Sequence, residues 1–316
     1  MRELAAGQSA SVPAVAVVAN LSRSFGTTKA LSDVTLAVPR GCVFGLVGEN
    51  GAGKSTLIKH LLGLWRAESG NVRVFGLDPV SDPAAVLGRI GYLSEQPDLP
   101  GWMRVEEFLR YTQAFYPGWD PGYAAELLKQ FGLELDARVH TLSKGQRARL
   151  GLIAAEAHRP ELLILDEPSS GLDPIVRRDI LEAIIRTVTE EGRTVLFSSH
   201  LLDEVERVSD YLALLHRGAL RFCAPLEDIK ARHRRVVLRF DLAQREPPNV
   251  PGAIRVDGAG REWTIICDAV RTHGPALAQH LGARIIDDCP ASLDEIFVSY
   301  SGAAAGERDT QRRAVN

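Results

Sequence analysis

Cysteine is scarce in this sequence: Cys42, Cys223, Cys267 and Cys289 are the only four in 316 residues, and no two form a CxxC pair. That spacing excludes a disulfide framework and a cysteine zinc site, and it fits a reducing compartment. Long apolar runs are missing too. Nothing approaches the roughly 18 uninterrupted apolar residues of a membrane-crossing helix, so the chain is not expected to span a bilayer itself. Charge of one sign is not in surplus. The formal net charge of −3 supplies no basic field to draw the chain onto nucleic acid, which is not an expected partner. Residues Met1–Ser9 make a poor secretory signal, because Glu3 sits among the charged positions and Gln8 and Ser9 interrupt the apolar ones. Lysine is sparse beside arginine, six against 31, which reads as compositional bias. There is no internal repeat, no long low-complexity tract and no sustained heptad pattern. What remains is ordinary globular chemistry. Hydrophobic residues are 45% and charged residues 24% of the chain, enough for a sizeable core, over a length of about two domains.

Residues 1–13 are small and polar and read as a flexible tail. Strand-like runs follow at Val15–Leu21, Cys42–Gly48, Arg89–Leu93, Glu161–Leu165, Thr194–Ser198 and Tyr211–His216, with a helix at Lys54–Leu64 and further helical patterns between strands. This alternation predicts an α/β fold with a mostly parallel, buried sheet over residues 14–230. The composition changes after Lys230. Arg234–Asp241, Glu262–Asp268 and Ala283–Asp288 read as strands, Val270–Leu281 and Ser292–Tyr300 as helices, and Asp257–Gly260 as a turn. Residues 231–300 are therefore expected to form a small C-terminal α/β accessory domain, marginal at that size if left alone. Residues 301–316 read as a second flexible tail.

The strand Cys42–Gly48 runs into Gly48-Glu49-Asn50-Gly51-Ala52-Gly53-Lys54-Ser55, followed by Thr56. This matches G-x-x-x-x-G-K-[ST] in the required strand–loop–helix context. The glycines let successive backbone N–H groups turn inward onto phosphate oxygens, and the helix that follows adds its positive N-terminal end. Lys54 is expected on the β- and γ-phosphates and Ser55 on Mg²⁺, which makes a nucleotide with Mg²⁺ the expected ligand. Leu162–Leu165 then delivers Asp166 and Glu167 to the C-terminal edge of a buried strand. Asp166 suits the Mg²⁺ shell, and Glu167 suits a base that polarises water. Neighbours on a strand point to opposite sides, so the two carboxylates are not expected to do the same job.

Leu142-Ser143-Lys144-Gly145-Gln146 precedes this acidic strand, Ser170-Gly171-Leu172-Asp173 follows it, and His200 closes the strand at Thr194–Ser199. In this order, over residues 15–225, the motifs resemble the ATP-binding cassette (ABC) ATPases. The resemblance implies a P-loop NTPase cassette with a helical signature subdomain at about 97–150. It makes Leu142–Gln146 the signature motif, Ser170–Asp173 the D-loop and His200 the switch histidine, and it places Phe25 against adenine. Phe25 as simple strand packing is the competing reading. It further implies two cassettes facing head to tail, with two ATP molecules between the P-loop of one and the signature of the other. Ser143 and the backbone of Gly145 would then donate to the γ-phosphate across that interface, and Ser143 can also serve as an N-cap.

The sequence departs from the family pattern in three places. Lys144 stands where many members have glycine, which would set a cation near the phosphates. In Ile90–Pro97, the spacing from Tyr92 puts Glu95 where the family has a glutamine near Mg²⁺, while a one-residue slip would restore Gln96; both remain candidates for ATP and metal contact. Glu156 takes a place that is often apolar. It reads as a charge that reaches solvent or pairs with a nearby arginine.

A cassette ATPase of this kind implies a separate membrane permease and a second ATPase subunit, with the chain held peripherally at the cytoplasmic face of the cell membrane. Trp102–Trp119 holds six aromatics. Phe108, Tyr111 and Phe115 share a helical face and read as core, whereas Trp102 and Met103 read as permease contacts. Ser292–Phe297 and the stretch from Phe115–Asp120 through Leu142–Gln146 resemble the drug, lipid and peptide exporter branch, so an exporter is expected, with an importer or a non-transport ABC ATPase as alternatives. The basic cluster Lys230, Arg232, His233, Arg234 and Arg235 is either a solvated strand edge or a site for anionic lipid headgroups. No Asn-Lys-x-Asp guanine motif is present, which argues against a GTPase.

Overall fold

The computed structural model describes residues 13–189, 192–268 and 274–302. The chain divides after Cys223 into two compact units. Elements follow in chain order: β1 (Ala14–Phe25), β2 (Thr28–Pro39), β3 (Val43–Val47), α1 (Lys54–Leu61), β4 (Ser69–Val74), α2 (Pro83–Leu87), β5 (Ile90–Leu93), α3 (Val105–Gln113), α4 (Pro121–Phe131), α5 (Lys144–Glu156), β6 (Leu162–Asp166), α6 (Pro174–Thr189), β7 (Thr194–Ser199), α7 (Leu202–Val208), β8 (Tyr211–His216), β9 (Ala219–Pro225), α8 (Leu226–Arg232), β10 (His233–Gln244), β11 (Ala253–Asp268), α9 (Gly274–Leu281) and β12 (Ala283–Pro290). A last helix, α10, covers residues 293–302.

The first unit holds a six-stranded sheet in the order β5-β6-β7-β3-β8-β9. Its pairs from β5 to β8 are parallel. Strands β3, β6 and β7 are buried at every residue, as expected of strands covered on both faces. A second sheet, β2-β1-β4, is antiparallel. The sequence reading foresaw only part of β1. These strands are half-buried and broken by register shifts, with Asn20 and Asp33 at positive φ, so their alternation is too irregular to stand out. Helix α1 buries Leu57, Ile58 and Leu61 in a core shared with Leu21, Leu31 and Leu36 of the antiparallel sheet and with Phe44, Leu46 and Ile164 of the parallel one. Each such side chain contributes about 1.5–3 kcal/mol on burial.

Helices α3, α4 and α5 lie between β5 and β6 in sequence. Asp120 caps α4 by accepting from the Tyr123 N–H at 2.9 Å, and Gly132 ends that helix in the left-handed conformation. Ser143 and Gln146 form a reciprocal capping box at the start of α5. Glu156, at the other end of α5, does not reach solvent: it is fully buried. It accepts from the Tyr123 hydroxyl at 3.0 Å and the Thr187 hydroxyl at 3.4 Å, and Arg186 lies 3.6 Å away. Burial raises its carboxyl above the usual range, and Arg186 and the Tyr123 hydroxyl pull it back down. The expected pairing with an arginine is present, but inside a buried network joining α4, α5 and α6. Beside it His158 is buried, stacks on Tyr116 at 3.8 Å and reaches the Ile90 carbonyl at 3.1 Å. Burial lowers its pKa to about 4.

The second unit is an antiparallel sheet in the order β11-β10-β12, with Leu238, Phe240, Trp263 and Ile265 in its core. The expected turn at Asp257–Gly260 is instead a kinked stretch of the single long strand β11. The ladder to β10 breaks between Arg239 and Gln244, and Gly258 and Gly260 take up the bend at φ 147 and 62. The basic cluster is an ion-paired ladder and not an open cationic patch. Arg232 meets Asp268, Arg234 meets Asp288, and Arg235 meets Asp287 and Glu295, while His233 is buried against the Ile229 carbonyl and the Tyr300 hydroxyl. All four cysteines are free, and burial pushes the Cys42 and Cys223 thiols up to about 12. Of the tails read at residues 1–13 and 301–316, residues 1–12 and 303–316 lie outside the described residues, while Ser301 and Gly302 continue α10; the start of the helix read at Val270 lies outside them too.

Candidate functional site

The phosphate loop leaves β3 and closes on α1. Gly51 and Gly53 stand at φ 80 and 108, which an L side chain rarely adopts. Space agrees with conformation, since a Cβ on Gly53 would fall 2.6 Å from the Ala30 carbonyl. The loop opens on a cavity of about 550 Å³ lined by Asn50–Thr56 with Lys29, Glu95, Glu167 and Arg217. Arg217 enters from the turn between β8 and β9, where Arg217 and Gly218 both have positive φ, the geometry of a tight hairpin. The Gly218 N–H donates to the Ala52 carbonyl at 2.9 Å, and its own carbonyl accepts from Ser32 at 2.8 Å. The hairpin tip is thus tied to both the loop and β2.

Lys54 is buried and its ammonium has three partners. It donates to the carbonyls of Gly48 at 2.5 Å and Glu49 at 3.3 Å, and it pairs with Glu167 Oε1 at 2.9 Å. Glu167 Oε2 in turn meets His200 Nδ1 at 2.7 Å. The strand ends at Asp166, so simple alternation does not set the direction of Glu167. Its φ is 50, a left-handed conformation costing a non-glycine residue roughly 1–2 kcal/mol. That turn brings its two oxygens to Lys54 and His200. Asp166 is held separately: the Ser198 hydroxyl donates to its Oδ1 at 2.7 Å and accepts the Glu167 N–H at 2.9 Å. The sequence reading missed Ser198, which lies inside an all-buried strand where nothing marks it as polar structure.

Glu204 was missed as well. It is buried on α7 and accepts from the Ser169 hydroxyl at 2.6 Å and the Ser199 hydroxyl at 3.4 Å, with Arg177 at 3.0 Å. One carboxylate therefore joins the segment before the D-loop, the residue before His200 and the start of α6. In sequence it is one acid in an acidic helical turn.

The remaining expected residues separate into groups. Glu95 lines both the phosphate cavity and a neighbouring groove of about 560 Å³, whereas Gln96 lines only the groove, with Lys144, Arg147 and Leu172. Lys144 does not point at the cradle; its ammonium donates to the Ser170 carbonyl at 2.7 Å. Asp173 caps α6, accepting from Ile175 and Val176. Gly145 packs so closely on α6 that a Cβ there would fall 2.7 Å from Val176. None of Leu142–Gln146 lines the phosphate cavity of its own chain. Phe25 is also outside that lining; it is 43% exposed, with the Trp65 ring edge-on at 5.0 Å and the Arg23 guanidinium 5.0 Å from its centroid. In the aromatic stretch, Phe108 is core, but Tyr111 and Phe115 are exposed, contrary to expectation. Trp102 is 70% exposed, while Met103 is 9% exposed and is no surface contact. Among the described residues no helix is long and apolar enough to cross a membrane.

Residues 31–170 match the family model for ABC transporter. The chain is 34% identical over 319 residues to the daunorubicin/doxorubicin resistance ATP-binding protein of Streptomyces peucetius, covering 93% of this chain and 94% of that one. It is 33% identical to the bacitracin transport ATP-binding protein of Bacillus licheniformis, over 72% of this chain and 74% of the relative. A solved structure, the ATP-binding subunit of an ABC transporter, superposes with a TM-score of 0.64 at 32% identity, over 69% of this chain and 92% of that chain. With the phosphate loop, the acidic strand end and His200 assembled as described, the chain belongs to the ABC transporter family, as one of its ATP-binding proteins.

Proposed function

We propose that this ATPase energises a separate permease in an exporter, and that two copies face each other around two ATP molecules. The observation that carries the catalytic reading is the convergence of Lys54 and His200 on Glu167. Glu167 is the base that polarises the attacking water. His200 orients it through Nδ1 and turns its other ring nitrogen to the γ-phosphate. Lys54 and the N–H groups of Gly51–Thr56 hold the phosphates. The Ser55 hydroxyl and the Asp166 carboxylate are hard oxygen donors of the kind Mg²⁺ takes, and they are the residues that would hold it. When bound, Mg²⁺ neutralises phosphate charge.

The facing pair is supported by the signature residues standing away from their own cradle. Ser143 uses a lone pair to cap α5, which leaves its hydroxyl proton to donate to a phosphate on the facing copy. The Phe25 face beside Trp65 is the proposed adenine platform. Exposed Trp102 is the proposed permease contact. Export is supported by the drug-resistance and antibiotic-transport relatives, and a permease partner places the chain at the cytoplasmic membrane face.

The test is co-purification. A tagged Glu167→Gln chain is extracted from membranes in mild detergent with ATP and Mg²⁺, and stoichiometric partners are identified by mass spectrometry. A polytopic membrane protein is expected. Ribosomal or DNA-associated partners with no membrane protein would overturn the transport reading.

A further inference from the structure

Two departures from the family pattern, Glu95 and Lys144, stand far apart in sequence and meet on one residue. Lys144 Nζ donates to the Ser170 carbonyl at 2.7 Å, and the Ser170 hydroxyl donates to Glu95 Oε1 at 3.4 Å. All three line the same groove. The next residue, Gly171, has φ 63, and a Cβ there would lie 2.7 Å from the Lys144 ammonium. The D-loop backbone is therefore open where the lysine side chain passes over it.

The chemistry of the two substitutions is complementary. Glycine at position 144 offers no side-chain donor to the D-loop. Glutamine at position 95 can accept from Ser170 but carries no charge. A lysine alone would add an unbalanced cation to this groove, and a glutamate alone an unbalanced anion. Together they cancel, and both are anchored on Ser170, one through its carbonyl and one through its hydroxyl.

We propose that Glu95, Ser170 and Lys144 form a clasp. It ties the loop beside the phosphate cavity, the D-loop and the first turn of the signature helix into one unit that moves together when nucleotide binds. Lys144 is a positioning residue acting through the D-loop, and Glu95 is its charge partner. The proposal rests on the nucleotide site proposed above, whose cavity Glu95 lines. It differs from a direct phosphate contact by Lys144, because the ammonium is already engaged within its own chain.

The experiment is a double-mutant cycle on the full chain. ATP turnover is measured for Lys144→Gly, Glu95→Gln and the double variant, which restores the family pattern at both places. Each single change is expected to lower kcat about tenfold with KM nearly unchanged, and the double to return to within about threefold of the parent, the signature of strongly coupled neighbours. Lys144→Arg, which keeps both cation and donor, is expected to retain most of the parent kcat. Melting temperatures of all variants should stay within about 2 °C of the parent, as for surface substitutions. Losses that multiply independently overturn the clasp, and so does a Lys144→Gly variant with parental kcat. A rise in KM alone for Lys144→Gly, indifferent to position 95, would assign the lysine to phosphate binding and also overturn it. These failures leave the nucleotide site standing. Tight ATP binding by Lys54→Ala would instead remove that site, and the clasp with it.

Discussion

Glu167→Gln should bind ATP more tightly than the parent while losing turnover. The Lys54 ammonium is held by Glu167 at 2.9 Å, and both side chains are more than nine-tenths buried. Phosphate oxygens must compete with that carboxylate for the ammonium. At an effective dielectric near 20, unit charges at this separation attract by roughly 6 kcal/mol before any desolvation is counted. Most of that is offset by the cost of holding two charges away from water. Glu167 also keeps His200, at 2.7 Å, when Lys54 turns to the phosphates. A competition of about 1–2 kcal/mol remains, or roughly 5- to 30-fold in affinity. Glutamine keeps the shape and a carbonyl acceptor but no charge, so this competition largely disappears. It also removes the base, which should lower turnover by about 10²–10⁴-fold. Titration calorimetry with ATP at fixed Mg²⁺ and low protein concentration, paired with a steady-state ATPase assay, reads both effects. Unchanged or weaker affinity would refute the competition argument, and near-parental turnover would remove Glu167 from its role.

Ser143→Arg should leave ATP binding by a single copy intact but prevent ATP-driven pairing; gel filtration with ATP reads this, and a persistent dimer would contradict the facing arrangement. Glu156→Ala takes the acceptor from the buried Tyr123 hydroxyl and the charge partner from half-buried Arg186, and should cost about 1–3 kcal/mol in denaturation experiments. Arg186→Ala instead leaves a carboxylate that can take a proton. Its raised pKa stabilises the protonated folded form at low pH, so the deficit should deepen as pH rises from 5 to 8, and a flat deficit would count against burial as the cause. His158 has its folded pKa lowered from 6.5 to about 4, so its contribution is fully present above pH 6.5 and is lost as pH falls toward 4. That loss is at most about 3 kcal/mol; His158→Phe should flatten this limb of the stability–pH curve, and an unchanged limb would sink the assignment.

The phosphate loop was legible because its chemistry is local. Glycine spacing, the lysine and the flanking all-buried strand stand within a dozen or so consecutive residues, and the backbone must fold there to use them. The parallel strands were legible because burial on both faces leaves uninterrupted apolar runs. The antiparallel sheet was not, because half-buried strands with bulges look like loops. Asp166 and Glu167 were found, but the direction of Glu167 was not, since a positive φ breaks the alternation from which direction is read. Ser198 and Glu204 act through neighbours brought together only by the parallel sheet and the helices beside it. The choice between Glu95 and Gln96 likewise depended on which way a short loop turns after β5, and one residue of slip loses the cavity and keeps only the groove.

The burial of the native thiols has a practical consequence for measuring motion. Burial pushes the Cys42 and Cys223 thiols up to about 12, so the thiolate that reacts with maleimides is scarce in both at neutral pH. Cys267 is enclosed as well, which leaves half-buried Cys289 as the thiol to remove. A Cys289→Ser chain is then a quiet background on which one cysteine installed at the exposed positions 102, 111 or 115 carries a spin label or fluorophore. Distances between two such labels would follow the nucleotide cycle without rebuilding the core.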